Sequence, residues 1–172
     1  MDSFIDLVKD DLIFYGGNSK KNKIWLFLFD KNFKLLFSYR LMVFLKETKL
    51  AFINRYLNYR QQVKYGCYIS VDAKLGRKIR FAHSFGIVIG PAVIEDNVTI
   101  FQQVTIGSHG NSSRDKSYPT IKSGVKLFSG SKIIGNVTIG ENAIIGANVI
   151  VNKDVAASSI NNCLPSKVVG FL

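Results

Sequence analysis

The sequence predicts an all-β solenoid of hexapeptide repeats behind a short N-terminal helical region, and two regularities carry that prediction. An aliphatic residue recurs at every sixth position, at Ile121, Leu127, Ile133, Ile139, Ile145 and Val151. Four residues after each stands a small or β-branched one: Val125, Ser131, Val137, Ala143, Val149 and Val155. A period of six matches neither the helical repeat nor the two-residue alternation of an ordinary strand. It fits short parallel strands on flat faces, each followed by a turn, with three segments completing one coil.

Taken in order, residues 1–65 read as helical. Asp2 and Ser3 are candidate caps for a first helix that runs toward Phe14, and Gly16-Gly17-Asn18-Ser19 breaks it. From Asn32 to Lys46, the apolar residues Phe33, Leu36, Phe37, Leu41, Phe44 and Leu45 follow helical spacing. A further helical segment spans residues 50–64, with Ile53 and Leu57 on one side. The apolar runs at 24–29 and 35–45 are too short to span a bilayer, which needs about 20 apolar residues. They read as helical core or oligomer contact; aromatic residues interleaved with lysines leave a membrane-surface role as the alternative.

Residues 66–155 carry the repeat. The same two-position code appears at Ile69/Ala73, Leu75/Ile79, Ile94/Val98 and Ile100/Val104, then Ile106. Gly90, Gly107, Gly135, Gly140 and Gly146 follow aliphatic positions, where a missing Cβ eases close approach at bends. Asn97, Asn136, Asn142 and Asn148 supply turn chemistry. Residues 108–118 lack the code and read as a loop ejected between coils, a common place for binding groups on a rigid scaffold. Residues 156–172 leave the repeat and are expected to cap the open end of the solenoid.

Composition narrows the partners. The 172-residue chain has a formal net charge of +11, which favours anionic ligands. Its lysines and arginines are dispersed, and no nucleic-acid-binding motif accompanies them, so a nucleic-acid partner is not expected. Cys67 and Cys163 form neither a disulfide framework nor a metal-ligand pattern. They read as isolated thiols in a reducing compartment, with a single bridge between them as the alternative. The N-terminus has no secretion-signal pattern, so a cytoplasmic location is expected.

The ordered motifs resemble the hexapeptide-repeat acyltransferases, in particular the serine O-acetyltransferase-like branch, which also includes enzymes that acetylate sugars for surface polysaccharides. The resemblance covers roughly residues 66–170. It rests on His83-Ser84-Phe85-Gly86-Ile87-Val88-Ile89-Gly90, Val104-Thr105-Ile106-Gly107, Ile133-Ile134-Gly135-Asn136-Val137-Thr138-Ile139-Gly140, Ile145-Gly146-Ala147-Asn148 and Leu164-Pro165-Ser166-Lys167-Val168-Val169-Gly170. It implies an all-β left-handed parallel β-helix, assembled as a homotrimer, with acetyl-CoA as acyl donor in the groove between subunits and no metal.

By the same resemblance, His83 is the general base that deprotonates an acceptor hydroxyl. An imidazole titrates near pH 6.5, suited to that task, and positioned proton transfer contributes roughly 100- to 10,000-fold in rate. His109, in the loop, is the second candidate. The cofactor side is implied to use Gly107 and Ser108 beside the pantetheine and thioester, Ser129 and Ala147 where small residues leave room for the CoA arm, and Lys167 at its phosphates. Lys126, Lys132 and Lys153 also read as solvated face residues, and Ile144 replaces a lysine of the family.

Three departures affect the acceptor. Tyr68 stands where the family has an aspartate that orients the base; Ser117 and Tyr118 replace a basic residue and a second histidine before Pro119. Tyrosine reproduces neither a carboxylate's charge nor an arginine's clamp on an amino-acid carboxylate. Asp72 and Asp115 are nearby acids outside the motif positions. The expectation is therefore an O-acetyltransferase of a saccharide, nucleotide sugar or surface-polysaccharide intermediate, working by direct transfer with His83 as base and Tyr68 or Tyr118 assisting. For residues 1–65, a peripheral contact at the inner face of the cell membrane stands as the alternative to core or oligomer contact. The alternatives are serine O-acetylation, or a noncatalytic β-helix scaffold that holds an anionic polymer or membrane.

Overall fold

The computed structural model describes residues 3–110 and 117–162. Helices α1 (Phe4–Gly16), α2 (Lys20–Phe29), α3 (Lys31–Lys46) and α4 (Ile53–Tyr65) come first. Their ends follow capping chemistry: the Ser3 hydroxyl accepts from the Asp6 N–H, and Ser19 caps α2 in the same way. Asp30 accepts from Phe33 N at 2.8 Å to open α3, and Gly66, at φ 60°, closes α4.

The strands wind into a left-handed parallel β-helix with three faces. Sheet A contains β1 (Tyr68–Ile69), β4 (Val88–Ile89), β7 (Thr105–Gly107), β10 (Lys132–Ile134) and β13 (Ile150–Val151). Sheet B contains β2 (Lys74–Leu75), β5 (Val93–Ile94), β8 (Thr120–Ile121) and β11 (Thr138–Ile139). Sheet C contains β3 (Arg80–Phe81), β6 (Thr99–Ile100), β9 (Lys126–Leu127), β12 (Ile144–Ile145) and β14 (Ile160–Asn161).

Strand registers turn the sequence code into columns. Ile69, Ile89, Ile106, Ile133 and Val151 stack behind sheet A. Leu75, Ile94, Ile121 and Ile139 stack behind sheet B, and Phe81, Ile100, Leu127 and Ile145 behind sheet C. All are buried. Burying one such aliphatic side chain contributes about 1.5–3 kcal/mol, so these columns dominate the stability of a scaffold whose strands are mostly two residues long.

The helical region closes the open edge of the first coil. Tyr39 Oη donates to Ala73 O at 2.6 Å, and Arg40 donates to Leu75 O at 2.7 Å and Gly76 O at 2.6 Å. Tyr15 Oη accepts from Phe81 N at 2.9 Å. These main-chain groups have no coil above them, and leaving them buried without partners would be costly. The apolar cores are continuous across this junction, through Leu35, Leu36 and Tyr39.

Three expectations are refined. Of the two readings of the 24–29 run, the core one holds for Leu26, while Ile24, Trp25, Leu28 and Phe29 face solvent in the single chain, because the core contacts are supplied by α3. Among the apolar residues at helical spacing in α3, Phe44 is half exposed, and Leu35, Tyr39, Arg40 and Met42 add to the buried face. The solenoid also continues beyond residue 155: Val155 bridges to Ile139, and β14 extends sheet C beside β12. Expectations for Asp2, Asp115, Cys163, Lys167 and the rest of the terminal segment lie outside the described residues. Among those described, no helix is long and apolar enough to cross a membrane.

Candidate active site

His83 sits on an irregular corner between sheets C and A. Ile100 to Ile106, Leu127 to Ile133 and Ile145 to Val151 each take six residues from sheet C to sheet A, whereas Phe81 to Ile89 takes eight. Main-chain bonds locate the surplus. Gly86 N donates to Gly66 O, Gln103 N to Phe85 O, Gly130 N to Gln102 O and Asn148 N to Ser129 O. Gly86, Gln103, Gly130 and Asn148, all at positive φ, therefore stack as one column of turns. The extra pair is His83-Ser84, which bulges the corner outward.

The bulge is held from several directions. His83 O accepts from Phe85 N at 2.9 Å, Ser84 N donates to Asn32 Oδ1 at 2.8 Å, and Asn32 Nδ2 donates to Ala82 O at 3.4 Å. Ser84 is buried, whereas His83 is exposed with its ring 6.3 Å from that of Phe101. Phe101 in turn stacks on Phe128 at 4.8 Å, so an aromatic ladder descends from His83 along the corner.

Ser129 and Ala147 lie below His83 on this same edge, joined through the bond from Asn148 N to Ser129 O at 2.9 Å. With coils about 4.8 Å apart, Ala147 lies roughly 14 Å below the His83 level. Gly107 and Ser108 occupy the opposite edge of sheet A, where it turns toward sheet B. Gly107 is four residue steps from Gln103, roughly 13 Å along the strand direction. The space beside Gly107 is open: a Cβ there would meet only Ile134 Cδ1, at 4.0 Å.

His109 and Tyr118 belong to that opposite edge. The His109 ring lies against Gly135, at φ 94°, where a Cβ would collide with it. Tyr118 packs against Gly90, whose Cβ would fall 2.5 Å from Tyr118 Cε1. Tyr68 sits on sheet A opposite Val88 and is 40% exposed. One chain thus groups His83, Ser129 and Ala147 on one edge, and His109, Tyr118, Gly107 and Ser108 on the other, with Tyr68 between. Within one chain, Tyr118 therefore lies across the face of sheet A from His83.

Asp72 is engaged elsewhere, accepting from Lys46 at 2.7 Å. Among the described residues no cluster of histidine, cysteine, aspartate or glutamate is arranged to hold a metal. Sequence reasoning missed Asn32, whose partners lie 50 and 52 residues away; the eight-residue interval between Phe81 and Ile89 was the available signal for the bulge.

The hexapeptide family described as "Bacterial transferase hexapeptide (six repeats)" matches residues 118–153. A serine acetyltransferase of Haemophilus influenzae is 33% identical over 128 residues, covering 73% of this chain and 48% of that protein. The chain thus spans about half the length of that relative. A serine acetyltransferase solved in complex with CoA superposes with a TM-score of 0.80 at 30% identity, covering 97% of this chain and 70% of the other. The soybean serine acetyltransferase complexed with serine gives a TM-score of 0.83 at 28% identity, over 97% and 70% of the two chains.

These likenesses overturn the saccharide, nucleotide-sugar and polysaccharide-biosynthesis expectations, since the relatives are serine acetyltransferases. Loss of a charged clamp at Ser117 and Tyr118 removes one way of holding a carboxylate but supplies no group that recognises a sugar. By its identity to a solved relative along 70% of that relative's length, the chain belongs to the serine acetyltransferase family of hexapeptide-repeat proteins.

Proposed function

We propose that this chain transfers the acetyl group of acetyl-CoA to the hydroxyl of serine, with His83 as general base. The observation that carries the reading is the His83 bulge, set in line with the small residues Ser129 and Ala147 in a member of this family. An extended thioester arm along that edge would bring its reactive end to an exposed imidazole. The relatives' names, and their complexes with CoA and with serine, support donor and acceptor.

The reaction follows from these groups. The imidazole takes the proton from the serine hydroxyl, whose oxygen attacks the thioester carbonyl. The tetrahedral adduct collapses, the C–S bond breaks, and the imidazolium returns the proton to the departing CoA sulfur. The products are O-acetylated serine and free CoA. Exposed Lys126, Lys132 and Lys153 offer positive charge to the CoA phosphates. The two halves of the candidate groove lie on opposite edges of sheet A, which supports a homotrimer in which one chain's His83 edge faces a neighbour's Gly107 edge.

Purified protein incubated with acetyl-CoA and L-serine tests the proposal, by thiol release and mass spectrometry of the amino acid. Serine-dependent CoA release with stoichiometric O-acetylation is the expected result. Absence of acetylated serine under conditions where CoA binds overturns it.

A further inference from the structure

We propose that Asn32, in the N-terminal helical region, is a positioning residue for His83, an inference that rests on the role of His83 as base. The corner carrying His83 departs from the others by two inserted residues: Ala82 N and Gly86 N on either side keep their coil-to-coil bonds, to Ile100 O and Gly66 O, whereas the inserted Ser84 N bonds to a side chain of the helical region. Asn32 Oδ1 accepts from Ser84 N at 2.8 Å, while its Nδ2 donates to Ala82 O at 3.4 Å. The carboxamide therefore grips the main chain immediately before and after His83.

Asn32 is itself rigidly presented. It stands in the first turn of α3, opened by the Asp30 cap, and the next residue, Phe33, is 1% exposed. Tyr15 strengthens the same junction, receiving Phe81 N and meeting the Phe33 ring at 5.9 Å. The imidazole faces solvent, so its direction depends largely on its own main chain and on Phe101. Without Asn32 the Ala82 and Ser84 peptides lose a common anchor and the imidazole samples a wider range. Misplacement by about 1 Å can cost a reaction about 100-fold. The helical region thus takes part in setting the geometry of the solenoid's base, beyond closing its end.

The test is a cycle of Asn32→Ala, His83→Ala and the double variant in the full chain, with kcat, the KM for acetyl-CoA and CoA binding measured for each. Asn32→Ala is expected to lower kcat roughly 10- to 100-fold with CoA binding unchanged. In the His83→Ala background the same change is expected to have no further effect, because its only route to the chemistry is gone. A merely structural role would instead weaken CoA binding or add to the His83→Ala loss.

Asn32→Asp supplies a second arm should Asn32→Ala fold poorly. It keeps the acceptor for Ser84 N–H, loses the donor to Ala82 O, and places a negative charge where a helix N-terminus favours it. A loss of kcat smaller than that of Asn32→Ala, or a loss of kcat where only this variant folds, supports the proposal. Wild-type kcat in both variants, or in Asn32→Asp when Asn32→Ala does not fold, overturns it while leaving His83 as base. Wild-type turnover in His83→Ala overturns the base assignment and this proposal with it.

Discussion

Arg40 Nε lies 3.1 Å from Asp11 Oδ2, and both side chains are almost wholly buried, at 3% and 2% exposure. This pair joins α1 to α3, while the remaining guanidinium nitrogens reach Leu75 O and Gly76 O at the edge of the solenoid. Removing the arginine leaves a buried carboxylate, the buried Leu75 carbonyl and the part-buried Gly76 carbonyl without their partner, at a cost of about 3–5 kcal/mol. Arg40→Leu is therefore expected to lower the urea midpoint sharply, and Asp11→Asn to lower it less. Equal midpoints for Arg40→Leu and the parent chain would contradict the role of Arg40 as the junction's anchor.

The same pair has a pH signature. Burial raises the Asp11 pKa above its usual value, and Arg40 only partly opposes that shift. The folded chain consequently holds this proton to higher pH than the unfolded chain, so the contribution of Asp11 to stability falls as pH rises through the window between the two pKa values. Asp11→Asn removes this slope. Urea titrations at successive pH values, starting near the ordinary carboxylate pKa and moving upward, are expected to show a flatter profile for the variant over that window.

The fold was largely legible because the period of six is enforced by stacking. Each of Ile121, Leu127, Ile133, Ile139 and Ile145 faces an inward column that excludes water, so a polar residue there would be penalised at once. The helices were legible for the same reason in part, through the spacing of Phe33, Leu36 and Leu45. The site was less so. Between Ile79 and Ile94 the code lapses, and the lapse holds both the eight-residue corner and His83. The clamp from Asn32 and the edge bonds of Tyr15, Tyr39 and Arg40 are single polar contacts between distant segments, and such contacts leave no periodic trace.

Two glycines that look alike in sequence are expected to respond oppositely to alanine. A Cβ on Gly140 would lie 2.7 Å from Ala157 Cα and run into the Ala157 nitrogen, both main-chain atoms that cannot move aside alone. Gly140→Ala should destabilise the chain by about 1–3 kcal/mol, through overpacking of adjacent coils. The corresponding Cβ on Gly107 would meet nothing nearer than 4.0 Å. Gly107→Ala should keep the parent's thermal midpoint yet raise the KM for acetyl-CoA, since it fills space proposed for the thioester. An unchanged KM would remove Gly107 from the donor groove.

Cys67 is free, buried at 2% exposure, and its thiol donates to Tyr65 O at 3.3 Å. Burial raises its pKa, and thiolate is the reactive form. In a Cys163→Ser background, Cys67 should resist DTNB in the folded chain and react fully once urea unfolds it. Prompt labelling of the native protein would contradict the packing of the first corner of sheet A.

The two histidines separate by edge, and their variants should separate by kinetic constant. His83→Ala removes the proposed proton acceptor and should lower kcat by at least about 100-fold while CoA binding holds at the parent's level. His109 lies against Gly135 near Gly107, on the far side of sheet A from His83. His109→Ala should retain most of kcat and raise the KM for acetyl-CoA. Steady-state rates with serine saturating and acetyl-CoA varied, together with calorimetric CoA binding, distinguish the two. A kcat collapse in His109→Ala alongside normal turnover in His83→Ala would exchange their roles and move the chemistry to the edge of sheet A that meets sheet B.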